Sequence, residues 1–220
     1  MKVIYEDNHL IGIYKPAGTL IQGDKTGVSS VMDEVKEYLR QKYQKPGNIF
    51  LGLIHRLDRN VDGAVLFAKT SKGASRLSEQ FRLHTVEKIY HAWVEGIPRK
   101  SKDTLVHYLY HDEVRNVSTI TEEEKKHADK AELSYDVIKN EEGFSLLKIT
   151  LKTGRHHQIR AQLSHIGHPI VGDTKYGSKV KLPDQRVMLT ATSLSFDPAT
   201  AVEGDIERKT ISVEIPKKSW

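Results

Sequence analysis

The chain has 220 residues, 38% hydrophobic and 29% charged, with a formal net charge of +5. That length supports one large domain or two joined lobes, and the positive balance favours polyanionic partners over acidic ones. The chain contains no cysteine, which excludes a disulfide framework and a thiolate metal site. The N-terminus lacks a signal-peptide pattern and no apolar run is long enough to span a bilayer, so a cytoplasmic location is expected.

In chain order, "LIGIYK" predicts a short buried strand ended by Pro16 and Gly18. Residues 30–43 predict a helix, with Ser30 as N-cap and Val31, Val35, Tyr38 and Leu39 on one face. "AVLFAK" is a second buried strand, and Ser71 is placed to cap a helix reaching Phe81. "EKIYHAWVEG" alternates, with Ile89, His91 and Trp93 on one face and Tyr90, Ala92 and Val94 on the other. The polar block at 121–132 reads as an exposed loop. "AELSYDVIKN" and "FSLLKITLKTG" predict a hairpin around Glu141, Glu142 and Gly143. A helix is expected from about His156 to Gly167, and "VMLTATSLSFD" and "TISVEIP" supply late strands. The expected fold is α+β, a mixed, mainly antiparallel sheet with flanking helices, in one domain covering 1–220.

The stretch "IHRLDRNVDG" sets five ionisable side chains, His55, Arg56, Asp58, Arg59 and Asp62, between two apolar runs. A strand ending in such a polar turn presents side chains at the rim of a site. Arg56 and Arg59 flank Asp58, and nearby cations keep a carboxylate ionised even when it is partly desolvated. Such an Asp serves as nucleophile or base. The competing reading is a charged surface turn whose Asp pairs with a neighbouring Arg.

Downstream, "TGRHHQIRAQLSHIGHPIVGD" opens with a Thr-Gly turn and a helix start, whose free N–H groups favour anions. Arg160 lies among Ile159, Ala161 and Leu163. An Arg facing inward requires an acidic partner or an anionic ligand, whereas a snorkelling Arg requires neither. In "EKIY", Lys88 and Tyr90 share a strand face. Tyr90 is either plain core or a platform for a nucleobase.

Taken together, and in this order, these segments resemble the RluA family of RNA pseudouridine synthases. "YEDNHLIGIYKPAG" is similar to the family's opening strand and Lys-Pro-x-Gly turn. "GLIHRLDRNVDGAVLFAKT" is similar to its H-R-L-D segment, and "EKIYHAWVEG" to its Lys-x-Tyr segment. "LKTGRHHQIRAQLSHIGHPIVGDTKYG" is similar to its Gly-Arg-x-His-Gln-Ile-Arg segment and the Gly-Asp-x-x-Tyr-Gly that follows. The likeness runs to about Ser195. One departure is Val61 and Asp62, where members often carry Thr-Ser, so a second carboxylate stands near the first. The small RNA-binding domain that many members carry ahead of the catalytic one is not expected here.

The resemblance implies a two-lobed fold with a central cleft and conversion of a uridine in ribosomal or transfer RNA to pseudouridine. It implies that the reaction uses no cofactor and no metal; a monomer is the default expectation, since oligomeric state is not readable from the sequence. The catalytic residues it implies are Asp58, Tyr90 and Arg160. Asp58 attacks the ribose anomeric carbon or removes a ribose proton. Arg160 pairs with Asp58, and Tyr90 stacks on the flipped uracil and moves a proton. The substrate-binding residues it implies are Arg56, filling the place of the flipped base, Lys15 and Arg155 on phosphates, and Lys88. His55 either contacts substrate or is a core histidine satisfied by backbone. Two other classes are weighed: a catalytically silent RNA-binding module, and a metal-dependent hydrolase using His55, Asp58, His156, His157 and Asp173. In the hydrolase, adjacent His156 and His157 would point to different faces of a helix and would not share a metal.

Overall fold

The structure is a computed structural model and describes residues 1–24, 27–121, 127–183, 186–200, 207–218 and 220. In chain order it contains β1 (Lys2–Glu6), β2 (Leu10–Lys15), α1 (Val31–Tyr43), β3 (Gly52–Leu53), β4 (Asp62–Ala68), α2 (Ser71–Arg82), β5 (Glu87–Glu95), β6 (Lys102–Asp112), β7 (Val117–Thr121), β8 (Ala128–Glu141), β9 (Phe144–Leu151), α3 (Gln158–His165), a 3-10 turn (Thr174–Tyr176), β10 (Leu189–Phe196) and β11 (Lys209–Ser212). Strands outnumber helices, and β1–β2, β2–β4, β3–β4, β5–β9, β6–β7, β6–β8, β8–β9 and β10–β11 pair antiparallel, which is the α+β class read from the sequence. The chain forms two compact units, residues 1–86 with 191–214 and residues 87–190 with 215–220. The division falls inside β10.

In the first unit β2 pairs with β1 and with β4, in register from Leu10 opposite Ala68 to Lys15 opposite Gly63. β3 pairs with β4, and β11 pairs with β10. β4 is buried along nearly its whole length, as a continuous apolar run predicts. Leu10, Leu66, Leu77, Leu194, Phe196 and Ile211 form a common core. α1 begins with a capping box: the Ser30 side chain accepts the Asp33 N–H, and the Asp33 carboxylate accepts the Ser30 N–H. The cap of α2 is Thr70, one residue before the Ser71 predicted, because the Thr70 side chain takes the Gly73 N–H.

In the second unit the strand order is β5-β9-β8-β6-β7. β8 and β9 are joined by Glu142 and Gly143, both at positive φ (50° and 81°), the conformation that suits a two-residue hairpin turn. α3 packs against β6 and β7, and Ala161 joins a core with Leu109 and Ala131. Both faces of β5 are covered from Lys88 to Val94. Its alternation therefore separates two buried surfaces.

The expected loop at 121–132 is corrected at its end. Residues 128–132 lie in β8, where Ala131 and Glu132 pair with His107 and Val106, and their charge faces outward along a half-buried strand. Residues 122–126 lie outside the described residues. The hairpin of β6 and β7 and the short β1 and β3 were not predicted. β6 has the sequence KDTLVHYLYHD, whose His, Tyr and Asp side chains obscure the period-2 pattern.

Candidate active site

Asp58 begins a tight turn, its carbonyl accepting the Val61 N–H at 3.1 Å. A second turn, Pro16 to Gly18, clasps the first. Gly18 N–H donates to the Arg59 carbonyl at 2.8 Å, and Arg59 Nε donates back to the Gly18 carbonyl at 3.0 Å. Beneath both turns lies the Lys15 ammonium, 0% exposed. Its Nζ donates to the carbonyls of Val61 (2.6 Å), Pro16 (3.0 Å) and Arg59 (3.0 Å). An ammonium has three hydrogens, and three carbonyls take them. Lys15 is therefore not disposed to hold a phosphate, which corrects the role expected of it; it braces the turn that carries Asp58. Burial pushes Lys15 down to about 8, opposed by the negative charges of Asp62 and Asp58.

The two carboxylates of the segment are placed differently. Asp58 is half-buried at the turn. Asp62 starts β4 and accepts the Tyr14 hydroxyl at 2.9 Å on Oδ2. Gly63 has φ +131°, and a Cβ there would lie 2.4 Å from the Ala191 carbonyl oxygen. Only glycine lets the chain leave the turn so close to its neighbour. The His55 ring stacks on Phe81 at 4.9 Å, and its Nε2 accepts the Leu66 N–H at 3.0 Å. His55 is half-buried, and its contact with the Leu66 N–H agrees with the reading in which backbone satisfies it. Arg56 is exposed beside the turn.

In the second unit, Tyr90 is 8% exposed and sits on β5 opposite Ile149. Lys88 is buried too, with Nζ 3.5 Å from the Lys152 carbonyl; burial lowers it, and the charge of Lys152 adds to that. Arg155 keeps an exposed head, with Nε donating to the Lys130 carbonyl at 3.2 Å and Nη1 3.4 Å from Asp129.

Arg160 does face inward. Its Nε donates to Asp173 Oδ2 at 2.6 Å and its Nη2 to Asp173 Oδ1 at 2.9 Å, a fork-on-fork pair. The two side chains are 6% and 1% exposed. The guanidinium carbon lies 4.8 Å from the centre of the Tyr176 ring. The Tyr176 hydroxyl accepts the Ser118 N–H at 2.8 Å and lies 3.0 Å from His157 Nδ1. His157 caps α3 at φ 51°; burial, then the charge of Arg160, hold it at about 2, so it stays neutral.

His156 and His157 precede α3, and their rings stack at 3.8 Å. The expectation that they occupy different helix faces is corrected, since neither lies inside the helix. Of the other hydrolase candidates, His55 and Asp173 already bind Leu66 and Arg160. Asp173 and Tyr176 as partners of Arg160, and Tyr14 as partner of Asp62, were not read from the sequence as such. The signal for Asp173 and Tyr176 was the Gly-Asp-x-x-Tyr-Gly run, quoted for its pattern without a role.

A half-buried carboxylate on a braced turn can serve as nucleophile or base, and a basic chain attracts polyanions. Residues 9–165 match the family described as RNA pseudouridylate synthase. The chain is similar to tRNA pseudouridine synthase C of Vibrio cholerae, 30% identical over 217 residues, covering 89% of this chain and 85% of that one. It is also similar to ribosomal large subunit pseudouridine synthase C of Buchnera aphidicola, 35% identical over 206 residues, but spans only 62% of that protein's length. Its fold matches human RNA pseudouridylate synthase domain containing 4, with TM-score 0.79 and 21% identity over 98% of this chain and 89% of that one. The chain belongs to the RNA pseudouridylate synthase family, the isomerases that convert uridine to pseudouridine in RNA.

Proposed function

We propose that the chain isomerises specific uridines of transfer or ribosomal RNA, with Asp58 as the residue that starts the reaction. The observation that carries this reading is the Asp58 turn, half-open above a buried Lys15 and clasped by the Pro16–Gly18 turn. The names of the relatives support both RNA classes. A stacked uridine is out of reach of such a carboxylate, so the base is flipped out first, and exposed Arg56 takes its place. The N-glycosidic bond breaks, uracil turns, and its C5 bonds to the same ribose. C5 loses a proton and N1 gains one, so atoms balance without an oxidant.

Tyr90 stacks on the flipped base and carries a proton. Arg160 is the third catalytic residue, and Arg155 holds a phosphate. The protein acts as a monomer in the cytoplasm and needs neither metal nor cofactor. Tritium release from uracil-labelled transfer and ribosomal RNA, followed by site mapping, tests the reading. Release that persists in Asp58→Asn would defeat the assignment of that residue, and no release from any RNA would defeat the function. Activity that disappears with chelator on pre-folded RNA would bring the hydrolase reading back.

A further inference from the structure

We infer that Asp173 and Tyr176 are positioning residues for Arg160, so that the Gly172–Gly177 segment is an orienting clamp for the cation of the active site. This deepens the proposed function and rests on it. Asp173 grips the Nε–Nη2 edge of the guanidinium with both oxygens, and Tyr176 lies over its face at 4.8 Å. An edge contact and a face contact together remove rotation about the terminal bonds of a long side chain, which a single ion pair leaves possible.

The clamp is itself rigid. Asp173 N–H donates to the Ile170 carbonyl at 3.0 Å, and the Asp173 carbonyl accepts N–H groups of Tyr176 (3.0 Å) and Ser178 (3.1 Å). Gly172 has φ +86°, and a Cβ there would meet the Arg186 carbonyl oxygen at 2.4 Å, so the approach to Asp173 is open only to glycine. The Tyr176 ring is anchored at its far end by Ser118 N–H and His157, which ties the clamp to β7 and to the start of α3. Arg160 lies in the first turn of that helix and is buried. The neutral state of His157 suits this arrangement, since a second cation beside Arg160 would repel it.

A carboxylate that only neutralised Arg160 could sit anywhere within reach. One that also fixes the plane of the guanidinium must come from a backbone that is itself held. Asn at 173 offers one acceptor and turns an NH₂ towards the second N–H donor, so the pair loses its geometry as well as its charge.

The experiment measures pseudouridine formation by wild type, Asp173→Asn, Tyr176→Phe and Tyr176→Leu, with kcat, KM and melting temperature for each. In Asp173→Asn we expect kcat to fall on the order of 100-fold, the cost of a misplaced group, with KM little changed. Tyr176→Leu, which loses the ring over the guanidinium, should fall in the same direction, and Tyr176→Phe, which keeps the ring but loses its anchor to Ser118 and His157, should fall less. If Asp173→Asn fails to fold, the Phe and Leu pair decides: equal kcat in the two overturns the inference. A fall in kcat that only follows the melting temperature, or that comes with an equal rise in KM, overturns it as well, since a purely structural role predicts that. An inactive wild type overturns the proposed function and this inference with it, whereas an active wild type with an unchanged Asp173→Asn overturns this inference alone.

Discussion

At the scale of single residues, two neighbouring carboxylates differ in their partners. Asp62 receives the Tyr14 hydroxyl at the start of β4, while Asp58 opens the turn braced by Lys15. Asp58→Asn should lower turnover by about 100- to 10,000-fold, the usual range for positioned acid–base groups, with RNA affinity nearly intact. Asp62→Asn keeps an acceptor for Tyr14 and should cost far less, and turnover assays of the pair check this. Lys15 yields a pH prediction. It loses its proton at about 8 instead of the ordinary 10.5, and a neutral amine has only two N–H donors for three carbonyls. Activity should therefore fall on the alkaline side with a midpoint near that value. Stability should not fall with it. Between those two pH values the unfolded chain binds the extra proton, so this group's contribution to stability improves as pH rises. Lys15→Met should show lower activity throughout and no such limb. Tyr90→Phe and Tyr90→Ala separate stacking from proton transfer: Phe should bind RNA and fail in chemistry, and Ala should also lose about 1–3 kcal/mol of base stacking. A fully active Phe variant would remove the proton-transfer role.

At the scale of elements, the frame of the site depends on a few local rules and one close approach. The capping box of α1 is worth about 1 kcal/mol, so Ser30→Ala should lower the melting temperature slightly and leave kcat unchanged. Gly63→Ala is a different case. The added methyl would meet the backbone of Ala191 at 2.4 Å, and backbone cannot rotate away as a side chain does. Overpacking of this kind costs about 1–3 kcal/mol, to which the φ of +131° adds strain. Gly63 adjoins the Asp58 turn along the chain, so activity should drop along with the denaturation midpoint. A Gly63→Ala protein as stable as wild type would mean that this approach is looser than the structure describes.

For the whole molecule, the relevant quantity is charge. A net charge of +5 is modest, so under the proposed function RNA affinity draws on placed cations, with Arg56 and Arg155 the candidates, more than on a general field. Affinity for a pre-folded stem-loop should fall as salt rises, by roughly one unit of log–log slope for each phosphate contact. Arg155→Gln should reduce that slope without changing which uridine is modified, since phosphate contacts position and do not specify. A flat salt response would count against an RNA substrate.

The sequence by itself determined many of the elements and the chemistry that could be present. Ser30 to Tyr43, the two buried strands that begin at Leu10 and near Ala64 and the β8–β9 hairpin were all legible, because caps, periodicity and turn residues act over a few positions. Only the tertiary structure decided what each charged group touches. Lys15 finds its carbonyls 44 and 46 residues away, and Arg160 finds Asp173 beyond the end of its own helix. His55 is satisfied by a strand 11 residues on, and β6 becomes visible as a strand once β8 lies beside it. Burial leaves a polar group little choice but to find a partner. Which partner it finds depends on the chain's path in space, and local pattern carries no record of that path.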